Sequence, residues 1–196
     1  MGQVTRLAVF ASGFGSNFRA LQEAIVARQM NAQIVRLVVD HDEIGALQIA
    51  EEFRIPATII NYKNFATRSD AETSIINQLK TDEVDGIILA GYLRLLTETL
   101  ITPYDGKIIN IHPALLPSFP GLHGIDDAYN YGVKVTGVTV HFVDTGMDSG
   151  EIIAQTPVRI EDGESLDELE TKIHAVEHQL YPDTLELLLA KGVFTK

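Results

Sequence analysis

The chain has 196 residues, of which 45% are hydrophobic and 21% charged, and its formal net charge is −12. This is the composition of a globular protein, and the length suits one domain. Phosphates of nucleic acids and anionic lipids would be repelled by such a surface, so we expect no nucleic-acid or membrane partner. The absence of cysteine excludes disulfides, thiolate metal sites and a cysteine nucleophile.

The N-terminal region carries no recognisable targeting signal. Its apolar run at 7–11 is too short for a signal-peptide core, and Arg6 stands where a myristoylation signal requires Ser or Thr. No apolar stretch reaches the ~20 residues of a membrane span. These features favour a cytoplasmic protein.

The first two thirds of the chain alternate apolar runs with amphipathic segments. The predicted strands are 7–11, 34–40, 57–60, 86–90 and 108–111. The predicted helices are 17–29, 44–53, 69–81 and a short one near 97–102, with Asn17 and Ser69 as N-caps. Because the strands show little polar alternation, we expect a parallel sheet covered on both faces.

The last third has a different pattern. Segments 135–143 and 152–160 alternate more strictly, which predicts an antiparallel or mixed extension of the sheet. A helical region at 166–190 contains Pro182, which should break or kink it. The sequence thus predicts a single α/β domain over 1–196, Rossmann-like, with a mostly parallel sheet and helices on both faces.

A glycine loop follows the first strand, at the sheet edge where ligands of such folds bind. Gly13 and Gly15 permit positive φ, and the next helix offers free N–H groups, which suits a phosphate. Phe18 stands where a dinucleotide fingerprint requires Gly or Ala. Asp40, at the end of the second strand, is placed where such folds have an acid that binds a ribose, although any strand can end in Asp. Phosphate binding is favoured, with a plain strand-to-helix turn as the alternative.

Asn110 and His112 end the fifth strand and, two residues apart, point to the same side. Pro113, Pro117 and Pro120 stiffen the loop that follows, and one of these bonds could be cis. An amide beside an imidazole can polarise a carbonyl and stabilise an oxyanion. The alternative is a buried histidine that only satisfies hydrogen bonds.

The turn at 144–150 supplies Asp144 and Asp148. Such carboxylates usually form solvated turns, but a turn folded over His112 would raise the pKa of that histidine and keep it cationic. His141 is expected to pack or hydrogen-bond behind the site.

The helical region contains a zinc-protease-like pattern, His174-x-x-Glu177-His178. Such sites need a third ligand further along the chain, and few residues follow. We therefore expect no metal. A Gly-x-Ser-x-Gly nucleophile motif is also missing from the sequence.

Taken together, these segments resemble the phosphoribosylglycinamide formyltransferase family of folate-dependent enzymes. The resemblance covers nearly the whole chain and rests on residues 11–17, 89–94, 109–117, 120–123, 137–143 and 147–150. Its most specific parts are the Asn-x-His-Pro and Leu-Leu-Pro motifs with the late aspartate. Phe14 and Glu151 depart from the usual Asn and Pro of the family. The first leaves the shape of the glycine loop less defined, and neither affects the catalytic set.

The resemblance implies a role for each matched residue. Its catalytic set is Asn110, His112 and Asp148. Its substrate site is Gly15, Ser16 and Asn17 for the phosphate, with Glu177 also contacting glycinamide ribonucleotide. Its folate site is Leu93, Arg94, Leu95, Leu96 and the 144–148 loop with Asp144, while Arg68 lies near the acidic tail.

The same resemblance implies a mechanism without an enzyme nucleophile. The glycine amine of the substrate attacks the formyl carbon of 10-formyltetrahydrofolate, and the oxyanion is held by Asn110 and a protonated His112. Asp148 sustains that proton, and a water carries a proton to the leaving nitrogen. Since both ligands are anionic, the helix N-terminus, Arg68 and Arg94 must offset the acidic charge locally.

Three other interpretations compete. Methionyl-tRNA formyltransferases need an additional basic RNA-binding domain, and formyltetrahydrofolate hydrolases usually carry a regulatory domain; we expect neither in 196 residues. A non-catalytic nucleotide-binding module would leave Asn110, His112 and Asp148 unexplained. The oligomeric state is open, a homodimer included.

Overall fold

The structure is a computed structural model that describes residues 3–195. These residues contain seven strands and six α-helices. The strands are β1 (Thr5–Ala11), β2 (Ala32–Val39), β3 (Ala57–Ile59), β4 (Gly86–Leu89), β5 (Ile108–His112), β6 (Val135–Phe142) and β7 (Ile152–Arg159). The helices are α1 (Ser16–Ala27), α2 (Gly45–Glu52), α3 (Arg68–Thr81), α4 (Glu98–Ile101), α5 (Gly124–Tyr131) and α6 (Leu166–Ala190), with 3-10 turns at Tyr62–Asn64 and Thr102–Tyr104.

All strands form one sheet in the order β3-β2-β1-β4-β5-β6-β7. The first five are parallel, and β6 and β7 are antiparallel, so the predicted fold class is confirmed. The strand order reverses between β1 and β4, and ligands of open α/β sheets bind beside such a reversal. There the Ser12 amide donates to the Gly91 carbonyl oxygen at 3.0 Å, which ties the two following loops together.

Both faces of the sheet are buried at its central strands. Leu7 and Val9 of β1 face a core formed with α1, α2, α5 and α6, whereas Ala8 and Phe10 face a second core formed with α3 and α4. This two-sided burial explains why the parallel strands appear in the sequence as unbroken apolar runs.

Helix starts differ from the prediction in two places. α1 follows Gly15, which is left-handed, and the side chain of Asn17 is directed to α6 instead of capping the helix. α3 begins after Thr67, which forms a capping box with Asp70, so Ser69 is not the cap. In addition, α5 was not predicted, because its buried stripe is short and its first turn carries Asp126 and Asp127.

Pro182 does not end α6, which runs unbroken to Ala190. The proline removes one backbone hydrogen bond, but the buried stripe of α6 continues past it through Leu185 and Leu188, and that burial outweighs the loss. Just before it, the fully buried Tyr181 hydroxyl donates to the Leu89 carbonyl oxygen at 2.8 Å and lies 3.2 Å from that of Ile109. The proline therefore follows an anchored turn of the helix.

The Leu116–Pro117 bond is cis.

Substituting Gly15 by alanine is expected to lower the free energy of unfolding by about 1–3 kcal/mol, because its φ of 80° strains any residue with a Cβ. The added Cβ would also lie 2.9 Å from Ala46 of α2. Gly163→Ala is the matched control, since Gly163 has a φ of 82° but open space around it. Urea unfolding should show a larger loss for Gly15→Ala; equal losses would contradict the tight packing of α2 on the loop.

The interpretation of the N-terminus involves Met1 and Gly2, which, like Lys196, lie outside the described residues. Within 3–195, none of the helices combines the length and apolar character that a membrane crossing requires.

Candidate active site

A cleft of about 540 Å³ opens at the carboxyl ends of β1, β4 and β5. Every site residue predicted from the sequence lines it, although the loops that carry them are far apart along the chain. These residues are Gly15, Ser16, Asn17, Arg68, Leu93, Arg94, Leu95, Leu96, Asn110, His112, Asp144, Asp148 and Glu177. The strand reversal thus brings the predicted phosphate, catalytic and folate segments to one place.

A second hollow of about 680 Å³ lies at the N-terminal end of α6. Its lining contains several carboxylates, Glu161, Asp162, Glu164, Asp167 and Glu168, and the single cation Lys172. Because phosphates and folates are anionic, this hollow would repel them. The cleft is therefore the candidate active site.

The glycine loop closes one end of the cleft. Gly15 is the N-cap of α1, so the first amide groups of a 12-residue helix face the cleft end. Asn17 donates from Nδ2 to Glu177 Oε2 at 3.1 Å, while its Oδ1 is buried without a hydrogen-bond partner among residues 3–195. The helix end suits a phosphate, and the free oxygen suits a ligand hydroxyl or amide donor.

Glu177 is a buried carboxylate on α6 that joins the glycine loop to a histidine. Its Oε2 also accepts from His174 Nδ1 at 2.8 Å. That hydrogen bond raises the pKa of His174 above its ordinary value, against the opposing effect of burial. The zinc-like pattern of the sequence therefore places His174 and Glu177 in an ion pair, and no group of metal-ligating side chains that could hold an ion occurs in the described range 3–195.

His141 fixes the amide of Asn110. The His141 Nδ1 lies 2.7 Å from the Phe142 carbonyl oxygen, which can only accept, so Nδ1 carries the proton. In the neutral ring, Nε2 then accepts from Asn110 Nδ2 at 3.3 Å. This bond leaves the Asn110 carbonyl oxygen and its second amide proton for the cleft.

His112 is buried beside Asp148. Its Nε2 lies 2.8 Å from the Phe119 carbonyl oxygen and therefore donates to it, whereas Nδ1 lies 3.5 Å from Asp148 Oδ2. The 144–150 turn thus folds over His112, which is the second of the two arrangements that the sequence left open. A Cβ on Gly124, the first residue of α5, would approach Nε2 to 3.1 Å, so glycine gives the ring its room.

The prediction that His112 is held cationic is wrong in its net direction. Burial lowers the pKa of His112 below its ordinary value, and this effect exceeds the opposing attraction of Asp148 and the hydrogen bond to Phe119. The carboxylate does favour the proton, as predicted, but the ring is nearly inaccessible to water. How deeply the ring is buried depends on the tertiary structure, which the motif alone does not indicate.

Asp148 is held as an anion by its surroundings. Burial raises its pKa, but the nearby His141 ring, whose Nε2 lies 3.6 Å from Oδ1, the hydrogen bond from the Gly121 amide (2.8 Å) and the charge of His112 lower it further than burial raises it. Asp148 has a φ of 50°, which directs its side chain back toward β5. Earlier in the turn, Asp144 Oδ1 accepts from the Gly146 amide and the Ser149 hydroxyl.

The 93–96 segment forms the other end of the cleft. Arg94 Nε donates to Asp40 Oδ2 at 2.7 Å, so the cation that was predicted to offset the charge of a ligand already pairs with a buried carboxylate. Asp40 is correspondingly engaged and does not line the cleft, which excludes it as a ribose-binding acid. Arg68 donates to the Leu95 carbonyl oxygen at 3.1 Å, a neutral partner, and keeps its charge at the cleft.

A family model described as formyl transferase matches residues 5–185. The chain belongs to the formyl transferase family. It is 45% identical to a phosphoribosylglycinamide formyltransferase of Bacillus subtilis over 94% of both chains. A crystal structure of phosphoribosylglycinamide formyltransferase from Bacillus halodurans has 43% identity and a TM-score of 0.95, covering 98% of this chain and 100% of that one. One of glycinamide ribonucleotide transformylase 1 from Geobacillus kaustophilus has 46% identity and a TM-score of 0.92, with 95% and 99% covered.

The predicted family and the predicted formyl transfer are thereby confirmed. Both His174 and His141 line the cleft of this formyl transferase. The sequence analysis did not include His174 in the site and placed His141 outside the residues that contact a ligand. The spacing of His174 three residues before Glu177 on a helix could have indicated the pair. The position of His141 opposite Asn110 on β6 required the strand register.

Two histidines of this formyl transferase should titrate on opposite sides of pH 6.5, the ordinary histidine pKa. We expect His174 above it and His112 below it, measured by NMR on ring nitrogens. The His174–Glu177 bond then stabilises the fold below pH 6.5, and this contribution is lost as pH rises through the raised pKa. A reversed order of the two pKa values would contradict the burial of His112.

Proposed function

We propose that Asn110, His112 and Asp148 carry out transfer of the formyl group of 10-formyltetrahydrofolate to the glycine amine of glycinamide ribonucleotide. The products are formylglycinamide ribonucleotide and tetrahydrofolate, in de novo purine synthesis. The observation that supports these residue roles is their convergence: His112 Nδ1 and His141 Nε2 lie 3.5 and 3.6 Å from the two oxygens of Asp148, and Asn110 bonds the second histidine.

The substrate amine is the nucleophile and attacks the formyl carbon. The carbon–oxygen double bond opens, and the resulting oxyanion is stabilised by the Asn110 amide and by protonated His112. In protonated His112, Nε2 is already engaged by Phe119, so the Nδ1 proton is available to Asp148 or the substrate. Because an oxyanion attracts that proton, the pKa of His112 rises as the charge develops, which offsets its burial.

The proton lost by the attacking amine must reach the departing folate nitrogen. A water held by Asp148 can carry it, since the carboxylate accepts from the amine side and the collapsing intermediate needs a proton on the leaving nitrogen. The carbon–nitrogen bond to the folate then breaks, and tetrahydrofolate leaves. No covalent bond to the enzyme forms in any step.

Each end of the cleft suits one ligand. The phosphate of glycinamide ribonucleotide is assigned to Gly15, Ser16 and Asn17 at the start of α1, and its polar groups to Glu177 and the free Asn17 oxygen. The folate ring is assigned to Leu93, Arg94, Leu95, Leu96 and Asp144. Its carboxylates are assigned to Arg68, whose charge is not neutralised by the Leu95 carbonyl.

An assay that mixes the protein with glycinamide ribonucleotide and 10-formyltetrahydrofolate tests the proposal. We expect tetrahydrofolate and formylglycinamide ribonucleotide to form in equal amounts. Tetrahydrofolate formation without the ribonucleotide would favour a hydrolase instead. Absence of turnover with both substrates would overturn the proposal.

We also propose that residues 1–196 form one formyl transferase domain that works in the cytoplasm. Support comes from a family match that covers 5–185 and from one continuous sheet. Cell fractionation tests the location, and light scattering tests whether the protein is a monomer or the homodimer that the sequence allows.

A further inference from the structure

Asp40 is a buried carboxylate at the end of β2 that does not line the cleft. Its side chain is 4% exposed, and its two oxygens have separate partners. Oδ2 accepts from Arg94 Nε at 2.7 Å, and Oδ1 accepts from His41 Nδ1 at 2.8 Å. Burial raises the pKa of Asp40, but the hydrogen bonds from Arg94, Ser12 and His41 together keep it below its ordinary value.

Arg94 is therefore held from two directions. Asp40 holds its Nε, and its guanidinium carbon lies 5.6 Å from the centre of the Tyr62 ring, in cation–π geometry. The Tyr62 hydroxyl is in turn 3.0 Å from that of Tyr92, which lies two residues before Arg94. Arg94 and Tyr92, two residues of the same segment, thus both contact the side chain of Tyr62.

The rest of segment 91–97 is tied down at both ends. Ser12 bonds the Gly91 carbonyl through its amide and accepts from the Leu93 amide at 3.1 Å through its hydroxyl. At the far end, the fully buried Glu72 accepts from the Thr97 amide at 2.8 Å and from the Thr97 hydroxyl. Between these ends, Asp40 is the carboxylate that holds the middle of the segment.

We propose that Asp40 is a positioning residue for the formyl donor: through Arg94 it holds segment 93–96 in the shape that receives the folate ring. This inference rests on the proposed function, because it takes that segment as the folate site. Asp40 does not touch the reacting atoms. Its loss should therefore raise the KM of the donor and leave kcat and the KM of glycinamide ribonucleotide unchanged.

The chain offers a matched control in the Arg36–Asp82 pair. Arg36 Nε lies 2.7 Å from Asp82 Oδ2, the same distance as in the Arg94–Asp40 pair, and both residues are largely buried. Neither lines the cleft. Asp82→Asn therefore removes an ion pair of the same length elsewhere in the fold, and any general effect of lost stability should appear in it as well.

The test compares Asp40→Asn, Arg94→Lys and Asp82→Asn with the unmodified protein. We expect the donor KM to rise about tenfold in the first two, since a largely desolvated partner is lost, and to stay constant in the third. The double variant Asp40→Asn/Arg94→Lys should be no worse than Arg94→Lys alone, because Asp40 acts on the segment through Arg94. Arg94→Lys provides the same comparison if Asp40→Asn does not fold, since Arg94 is 45% exposed.

Calorimetric binding of tetrahydrofolate supplies a readout that does not require turnover. Weaker binding in Asp40→Asn but not in Asp82→Asn supports the positioning role. An unchanged donor KM and unchanged binding in Asp40→Asn, or equal changes in Asp82→Asn, would overturn it. Inactivity of the unmodified protein with intact tetrahydrofolate binding would refute the proposed function alone.

Discussion

Asn110→Ala is expected to lower kcat about 10²–10³-fold, the usual cost of losing one oxyanion donor. The amide is held by His141 and lies in the cleft beside His112 and Asp148, so its removal takes away a donor that is oriented in advance. KM values should change little, because the interaction strengthens as charge develops on the formyl oxygen. Steady-state kinetics with both substrates measures the effect.

The matched control is Asn77→Ala, which removes the same side chain from an exposed position on α3. It should retain the kcat of the unmodified protein. Thermal unfolding must show that Asn110→Ala is folded at the assay temperature. A folded Asn110→Ala variant with normal turnover would show that the amide plays no part in the reaction.

Asp148→Asn is expected to lower kcat by about 10² and to move the alkaline limb of the pH profile to lower pH. Asparagine tolerates the φ of 50° and can still accept from the Gly121 amide, so the main change is the lost charge. The carboxylate raises the pKa of His112 against burial. Without it, His112 loses its proton at a lower pH, and activity that depends on that proton disappears earlier as pH rises.

Two measurements follow this change, the kcat profile between pH 5 and pH 9 and the NMR titration of His112. Asp127→Asn is the control, because Asp127 is an exposed acid in the first turn of α5, the helix that starts against His112. It should alter neither. If Asp148→Asn leaves the limb in place, the limb reports another group, and the assigned role of Asp148 is wrong.

Elements whose signal is local could be predicted from the sequence. The parallel strands were predicted within about two residues, since burial on both faces leaves continuous apolar runs. The bounds 166–190 of the last helix were also correct, although Pro182 does not break it. α5 was missed because its burial depends on the neighbouring loop and α6, which a short amphipathic stripe does not reveal.

All residues predicted for the site line one cleft: the strand-end rule pointed to several of them, and the family resemblance supplied others, such as Arg68 and Glu177. What they contact there could not be predicted. Arg94 and Asp40 are 54 residues apart, and nothing in either motif indicates that they neutralise each other. The pKa of His112 depends on how deeply the ring is buried between β5, the 144–150 turn and α5, which is set by packing across the whole fold.

The Tyr181 hydroxyl, which donates to the Leu89 carbonyl at the end of β4 and lies near that of Ile109 in β5, also ties α6 to the strand that carries the proposed catalytic residues. Glu177 stands one helical turn before Tyr181, so the hydroxyl fixes the height of Glu177 relative to Asn110. The span between Glu177 and Asn110 is therefore set by a fully buried contact. The enzyme should consequently select acceptors by length, rejecting an amine carried one bond nearer to or farther from its ribose even when every polar contact is available.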